Sequence, residues 1–287
     1  MRNLSWRIGD VTVTRVVEME LPVPYSEKYS FLKQATPDAL KEMPWLAPHF
    51  VTPEGALMLS IHALAVEAPG LKLIVDTCVG NDKPRLMTRR QALQTQFLDH
   101  LAEAGFPRQA VDAVVCTHLH VDHVGWNTML VDGEWAPTFP NARYLIGRTE
   151  YKHWIKETEG ETAAIMSDSV SPIFDAGLAE LVEMDHRLSP EIRLLPTPGH
   201  TPGHVSVMIE SRGETAIITG DMMHHPCQVS RPDWVSEFDT DKNAGAARRN
   251  TMIRQWADKP YLIIGTHFAA PTAGHIRSHE DGHRFEA

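Results

Sequence analysis

Three histidines and an aspartate fall within six residues in the run Thr117-His118-Leu119-His120-Val121-Asp122-His123. They follow directly on the apolar stretch Val111-Asp112-Ala113-Val114-Val115-Cys116. A buried strand that ends in a cluster of nitrogen and oxygen donors holds a metal ion on a rigid scaffold. Imidazole suits zinc, iron, nickel or copper, and added carboxylates favour a hard-to-borderline divalent ion. The plainer reading is a surface histidine cluster that binds nothing. It is set aside because the rest of the chain supplies matching donors. His200 sits in the Gly/Pro-rich run Pro198-Gly199-His200-Thr201-Pro202-Gly203-His204. Asp221 ends the apolar run Ile217-Ile218-Thr219-Gly220-Asp221, and His267 ends Tyr261-Leu262-Ile263-Ile264-Gly265-Thr266-His267. One such coincidence is cheap; several in one chain are not. His118 and His120 are two apart and project alike from an extended chain. Asp122 and His123 come after the turn and can face a second ion.

These donors require strands that stop at the right places. Val11–Val17 alternates and is β-branched, which predicts a strand. Further strands are expected at Leu57–Val66, Lys72–Asp76, Val111–Thr117, Ala142–Ile146, Ile192–Pro196, His204–Glu210, Thr215–Thr219 and Tyr261–Ile264. Helices are expected over Gln91–Ala104, stopped by Gly105 and Pro107, from Glu150 to Lys156, and over Asp241–Ala257. Helices interspersed among strands, with donors at strand ends, indicate a layered α/β protein. Residues 20–56 differ in character: six prolines lie among Tyr25, Tyr29, Phe31, Trp45 and Phe50. An irregular segment is expected there, with one short helix at Pro37–Met43 capped by Thr36. It reads equally as a lid over a binding site and as a packing or dimer-contact arm.

With 287 residues, 43% hydrophobic and 22% charged, the composition is that of an ordinary soluble globular protein. The 27 Lys+Arg against 37 Asp+Glu leave a net charge of −10, which argues against nucleic-acid or anionic-membrane partners. The N-terminal residues lack the apolar core of a signal peptide, and no apolar run approaches the length of a membrane span. A cytoplasmic protein is expected. Cys78, Cys116 and Cys227 are odd in number and widely spaced, so buried reduced thiols are expected rather than disulfides.

The pattern His118-x-His120-x-Asp122-His123 with downstream His200, Asp221 and His267 resembles that of the metallo-β-lactamase superfamily, over residues 76 to 267. The resemblance implies an α/β fold, the four-layer αβ/βα sandwich of metallo-β-lactamase type. It would be a single domain over 1–287, with 20–56 as the lid or dimer-contact insertion. It implies two zinc ions, replaceable by other divalent metals. His118, His120 and His200 would hold the first and Asp122, His123 and His267 the second, with Asp221 and a hydroxide bridging them. His120 stands where the flavodiiron branch has an acidic ligand, which favours zinc over a di-iron redox centre. The lactamases proper commonly carry Cys or Ser where this chain has Asp221. Asp76 matches the family's strand-end aspartate, expected to orient a ligand histidine. His204 is expected to make a structural bond in its loop, His225 to line a pocket or face solvent, and Trp126 to be core or pocket wall.

The runs 273–277 and 282–285, together with Pro198–His204, Gly220-Asp221 and Asp239-Thr240-Asp241, resemble methyl parathion hydrolase and its lactonase relatives. Acyl-homoserine lactonases of this superfamily often carry a tyrosine three residues after the bridging aspartate; here that position is His224. A neutral histidine can donate a hydrogen bond instead, so His224 joins Asp122 and Asp221 as a candidate catalytic residue. The expectation is a quorum-quenching type of dinuclear zinc hydrolase. It would open a lactone, such as an acyl homoserine lactone, or cleave a related neutral ester. A methyl parathion hydrolase-like phosphotriester or aryl ester hydrolase is the first alternative. A persulfide dioxygenase, with one iron on His118, His200 and Asp221, is the second. A homodimer through the 20–56 arm is expected by analogy with relatives.

Overall fold

The computed structural model describes residues 3–280 and 282–287. In chain order its strands are β1 (Ser5–Ile8), β2 (Val11–Val23), β3 (Leu57–Ala68), β4 (Leu71–Val75), β5 (Ala113–Cys116), β6 (Thr128–Val131), β7 (Glu134–Pro137) and β8 (Arg143–Gly147). They continue with β9 (Ala179–Val182), β10 (Ile192–Pro196), β11 (Val205–Ser211), β12 (Glu214–Ile218), β13 (Tyr261–Ile264), β14 (Ala273–His279) and β15 (Gly282–Glu286). The α-helices are α1 (Pro37–Leu40), α2 (Phe97–Glu103), α3 (Arg148–Trp154), α4 (Gly160–Ile165), α5 (Ser171–Asp175), α6 (Cys227–Ser230) and α7 (Lys242–Trp256). The class is therefore mixed α/β, as expected. The chain forms two compact units, one of residues up to Glu18 with Ile61–His186, the other of Met19–Ser60 with Arg187–Ala287.

The first unit is built on a sheet ordered β1-β2-β3-β4-β5-β8-β9, with the β6-β7 hairpin beside it in sequence. From β4 through β5 and β8 to β9 the neighbours are parallel. Parallel strands are covered on both faces and read as unbroken apolar runs; every residue of β5 is buried. Parallel neighbours also end at the same sheet edge. Asp76 immediately follows β4, and Thr117-His118 immediately follow β5.

The second unit carries the sheet β10-β11-β12-β13-β14-β15. Here β10-β11 and β11-β12 are antiparallel and β12-β13 parallel. That arrangement places the ends of β10, β12 and β13 on one edge, and each is followed within a few residues by His200, Asp221 or His267. Phe31, Leu32, Leu40, Met43, Leu46, Phe50 and Leu57 pack into the core of this unit with Ile217, Ile253, Trp256, Phe268 and Phe285. Helix α1 opens as expected, with the Thr36 hydroxyl accepting from Ala39 N–H at 3.1 Å. Helix α7 is capped likewise by Asp241 Oδ1, which accepts from Ala244 N–H at 2.9 Å. Asp241→Ala should cost about 1 kcal/mol of stability, read as a lower denaturant midpoint with an unchanged slope.

Three expectations need correction. Residues 20–23 are not irregular but complete β2. Pairing with β1 ends at Thr14, so Pro22, which lacks an N–H, lies where β2 is an edge. The helix expected from Gln91 begins only at Phe97. Asn81 captures the preceding backbone: its Oδ1 accepts from Thr95 N–H at 2.7 Å and its Nδ2 donates to Thr95 O at 3.0 Å. The β6-β7 hairpin was not anticipated, although Asp132 and Gly133, both with positive φ, form its turn.

Candidate metal centre

In the first unit, β5 delivers His118, His120, Asp122 and His123 into a tight cluster. His118 is buried between His120 and His123, with ring centroids 4.6 and 4.0 Å away. His123 Nε2 and Asp122 Oδ1 are 3.6 Å apart. Asp76, at φ +58, orients this group. One of its oxygens accepts from Thr117 N–H, and the other pairs at 2.8 Å with both Thr117 Oγ1 and His123 Nδ1. A carboxylate on Nδ1 places the proton there and turns Nε2 outward as a donor to metal. The expected role of Asp76 is thus observed in its geometry.

Glu18 braces the same loop. Its carboxylate accepts from Val79 N–H at 2.8 Å, Gly80 N–H at 3.2 Å and Trp126 Nε1 at 2.7 Å. Burial raises the Glu18 pKa, and these three donors oppose the rise. Trp126 is core, stacked on Phe97.

In the second unit, three imidazoles converge on one carboxylate. Asp221 Oδ2 lies 3.4 Å from His200 Nε2 and 3.3 Å from His224 Nε2, while Oδ1 lies 3.1 Å from His267 Nε2. A four-coordinate ion with bonds of about 2.0–2.1 Å separates its ligand atoms by about 3.3 Å. The donors are therefore spaced as the ligands of a metal are. Nitrogen and carboxylate oxygen without thiolate suit zinc and other divalent ions. The three cysteines are free and buried as expected, their thiols held protonated by burial, that of Cys116 pushed up to about 12.

The backbone at Asp221 is held independently of its side chain. Asp221 N–H donates to His204 Nε2 at 2.8 Å, and His204 Nδ1 pairs with Thr197 Oγ1 at 2.8 Å. His204 is thus structural, as expected. Gly220 has φ +55, and a Cβ there would stand 2.5 Å from His204 Nε2, so no other residue fits.

His200 Nδ1 pairs with Asp239 Oδ1 at 2.8 Å, which turns its Nε2 toward Asp221. Burial raises the Asp239 pKa, opposed by His224 and Arg249. Arg249 is fully buried and donates to the carbonyls of Met222, Pro232 and Trp234 at 2.8 Å each. It therefore ties the segment after Asp221 to the loop that carries Asp239. His267 Nδ1 contacts Ser60 O at 3.0 Å, with the same orienting effect.

His224 is buried and its ring lies parallel to that of His267, 5.9 Å away, with Phe31 5.7 Å off on another side. Neither ring nitrogen has a hydrogen-bond partner among the described residues. Leaving such groups unmade in the interior is costly. His225 corrects an expectation: it neither faces solvent nor lines a pocket. It is fully buried, with Nε2 on Phe50 O at 2.8 Å. Glu18, Glu150 and Arg249 were missed, because each has partners distant in sequence. Their only local signal is a charged residue inside or beside an apolar run.

Residues 58–267 match the family model described as the Metallo-beta-lactamase superfamily. The N-acyl homoserine lactonase AiiA of Bacillus thuringiensis subsp. kurstaki is 26% identical over 173 residues, 60% of this chain and 62% of that protein. The chain thus matches less than two thirds of the length of that relative. A probable metallo-hydrolase of Mycobacterium tuberculosis is 24% identical over 182 residues, 59% of this chain and 58% of the other. Among solved structures, the hydrolase AbOPH superposes with a TM-score of 0.80 at 22% identity, covering 99% of this chain and 96% of its own. AidC, described as a dizinc quorum-quenching lactonase, superposes at 0.81 and 19% identity with the same coverage. No helix among the described residues is long and apolar enough to cross a membrane. The family match covers most of the chain and includes every donor named above: the chain belongs to the metallo-β-lactamase superfamily and has its α/β fold.

Proposed function

We propose that this protein is a metal-dependent hydrolase that works with a dinuclear zinc centre. His118, His120 and His200 would hold one ion, Asp122, His123 and His267 the other, and Asp221 would be shared by both. The observation that carries this reading is the approach of His200 Nε2 and His267 Nε2 to Asp221 at 3.4 and 3.1 Å. When bound, such ions acidify water to a nucleophile at neutral pH and polarise a carbonyl oxygen. The chain's own residues do the rest. Asp76 and Asp239 hold the histidine tautomers. Asp122 or Asp221 holds the proton destined for the leaving oxygen. His224, whose buried Nδ1 has no hydrogen-bond partner among the described residues, would donate a hydrogen bond to the substrate carbonyl.

The substrate of this reading is a lactone, such as an acyl homoserine lactone, or a related neutral ester. The names of the lactonase relatives support it. So does the apolar character of 20–56. Phe50 is core rather than lid, and Phe31 is the ring of that segment that reaches His224. A net charge of −10 suits an uncharged small substrate in the cytoplasm.

Zinc-loaded protein should release protons from acyl lactones. Turnover of phosphotriesters or aryl esters without lactones would move the assignment to those substrates, and silence across all three would end the reading. Dialysis against a chelator should abolish turnover and lower the Tm, because an ion bound only by the folded state stabilises it. Zinc should restore both. His224→Ala should lower kcat about 100–1000-fold, the range for a lost oxyanion donor, with bound metal unchanged. A matching loss of metal would make His224 a ligand instead. Asp239→Ala should weaken one metal about 10–100-fold, read by chelator competition.

A further inference from the structure

One buried carboxylate of the first unit has no part in the roles above. Glu150, in the first turn of α3, is 1% exposed. Its strand β8 is the parallel neighbour of β5, so the turn after β8 and the donor loop after β5 emerge side by side. Glu150 Oε1 accepts from Leu119 N–H at 3.1 Å and from Trp154 Nε1 at 2.5 Å. Leu119 stands between His118 and His120. Trp154 packs its ring edge-on against His120, with centroids 5.3 Å apart and planes at 62°. A buried carboxylate is retained only when donors satisfy it. Here both donors belong to the immediate surroundings of one histidine, one through the backbone before it and one through the ring that flanks it. Hydrogen bonds to a charged acceptor are about twice as strong as neutral ones.

We propose that Glu150 is a positioning residue for His120, acting through Leu119 and Trp154. It sets the direction of the His120 ring and hence the affinity for the ion that His118 and His120 share. This rests on the dinuclear reading above. Asp76 pairs with His123, which is assigned to the other ion.

The test is a two-site zinc titration by chelator competition, with no turnover involved. Glu150→Ala should weaken one of the two sites about 10–100-fold, the usual cost of losing an outer partner, and leave the other unchanged. Glu150→Gln keeps an oxygen that can accept from both N–H groups, so a smaller loss at the same site is expected. Trp154→Phe keeps a ring on His120 but removes the indole donor, and should fall between them. These two variants decide the matter should Glu150→Ala fail to fold. Wild-type affinity at both sites in Glu150→Gln and Trp154→Phe, or equal loss at both sites, overturns the proposal. Should wild-type protein take up no zinc, the dinuclear reading falls by itself. The positioning role is then read from the His120 ring resonances of metal-free protein. They should move in Glu150→Gln and Trp154→Phe, and unmoved resonances overturn it.

Discussion

Asp221→Asn is expected to lower kcat/KM by well over about 100-fold and to release bound metal, since loss of a mere outer partner already costs about 10–100-fold in affinity. The carboxylate is the one group to which His200, His224 and His267 all point. An amide keeps the shape but loses the charge and one of the two oxygen donors. Without that charge, a bound cation loses electrostatic compensation. The backbone should not follow the side chain, because Asp221 N–H is held by His204 and the turn by Gly220. Metal content by elemental analysis, lactone turnover and the Tm of metal-free protein separate these effects. The Tm should stay near that of metal-free wild type while metal and turnover fall together. A variant that keeps its metal and stays within tenfold of wild type would sink the bridging role.

Acid should destabilise the fold through His225. Burial lowers its pKa from 6.5 to about 4, only partly offset by its bond to Phe50 O. Between those values the unfolded chain binds a proton that the folded chain refuses. The contribution is therefore full above about pH 6.5, is lost as pH falls, and is gone below about pH 4. At 1.36 kcal/mol per unit the loss amounts to about 3 kcal/mol. Metal-free protein is the proper sample, since ligand histidines release metal over the same range. In His225→Gln the amide can still donate to Phe50 O and has no charge to gain. Its denaturant midpoint should therefore fall less between pH 7 and pH 4, by the equivalent of about 3 kcal/mol. Parallel pH profiles for the two proteins would show that His225 is not the group responsible.

Phe50 shows how a composition signal can mislead about place. Aromatic rings in a proline-rich segment read equally as a lid and as a packing arm, and Phe50 packs edge-on against His225, Phe268 and Phe285 in the core of the second unit. The same segment does bring Phe31 to His224. Nothing local distinguishes the two rings, because the difference lies in which residues from 225 to 285 each one meets.

The donors, by contrast, were legible from residue types alone. Each stands just after a short apolar run, and apolar runs in parallel strands are recognisable without their neighbours. The α/β class, the cysteines kept from disulfides, the cap at Thr36 and the candidate donors all follow from patterns a few residues long. Tertiary structure decided what no short pattern carries. Asp76 reaches His123 across 47 positions and Asp239 reaches His200 across 39. These pairings choose which imidazole nitrogen is turned outward. Glu150, Glu18 and Arg249 fix the loops from positions that look, in sequence, like ordinary surface charges. A strand's place depends on its own side chains, whereas a hydrogen bond between distant residues exists only once both strands that carry them have paired.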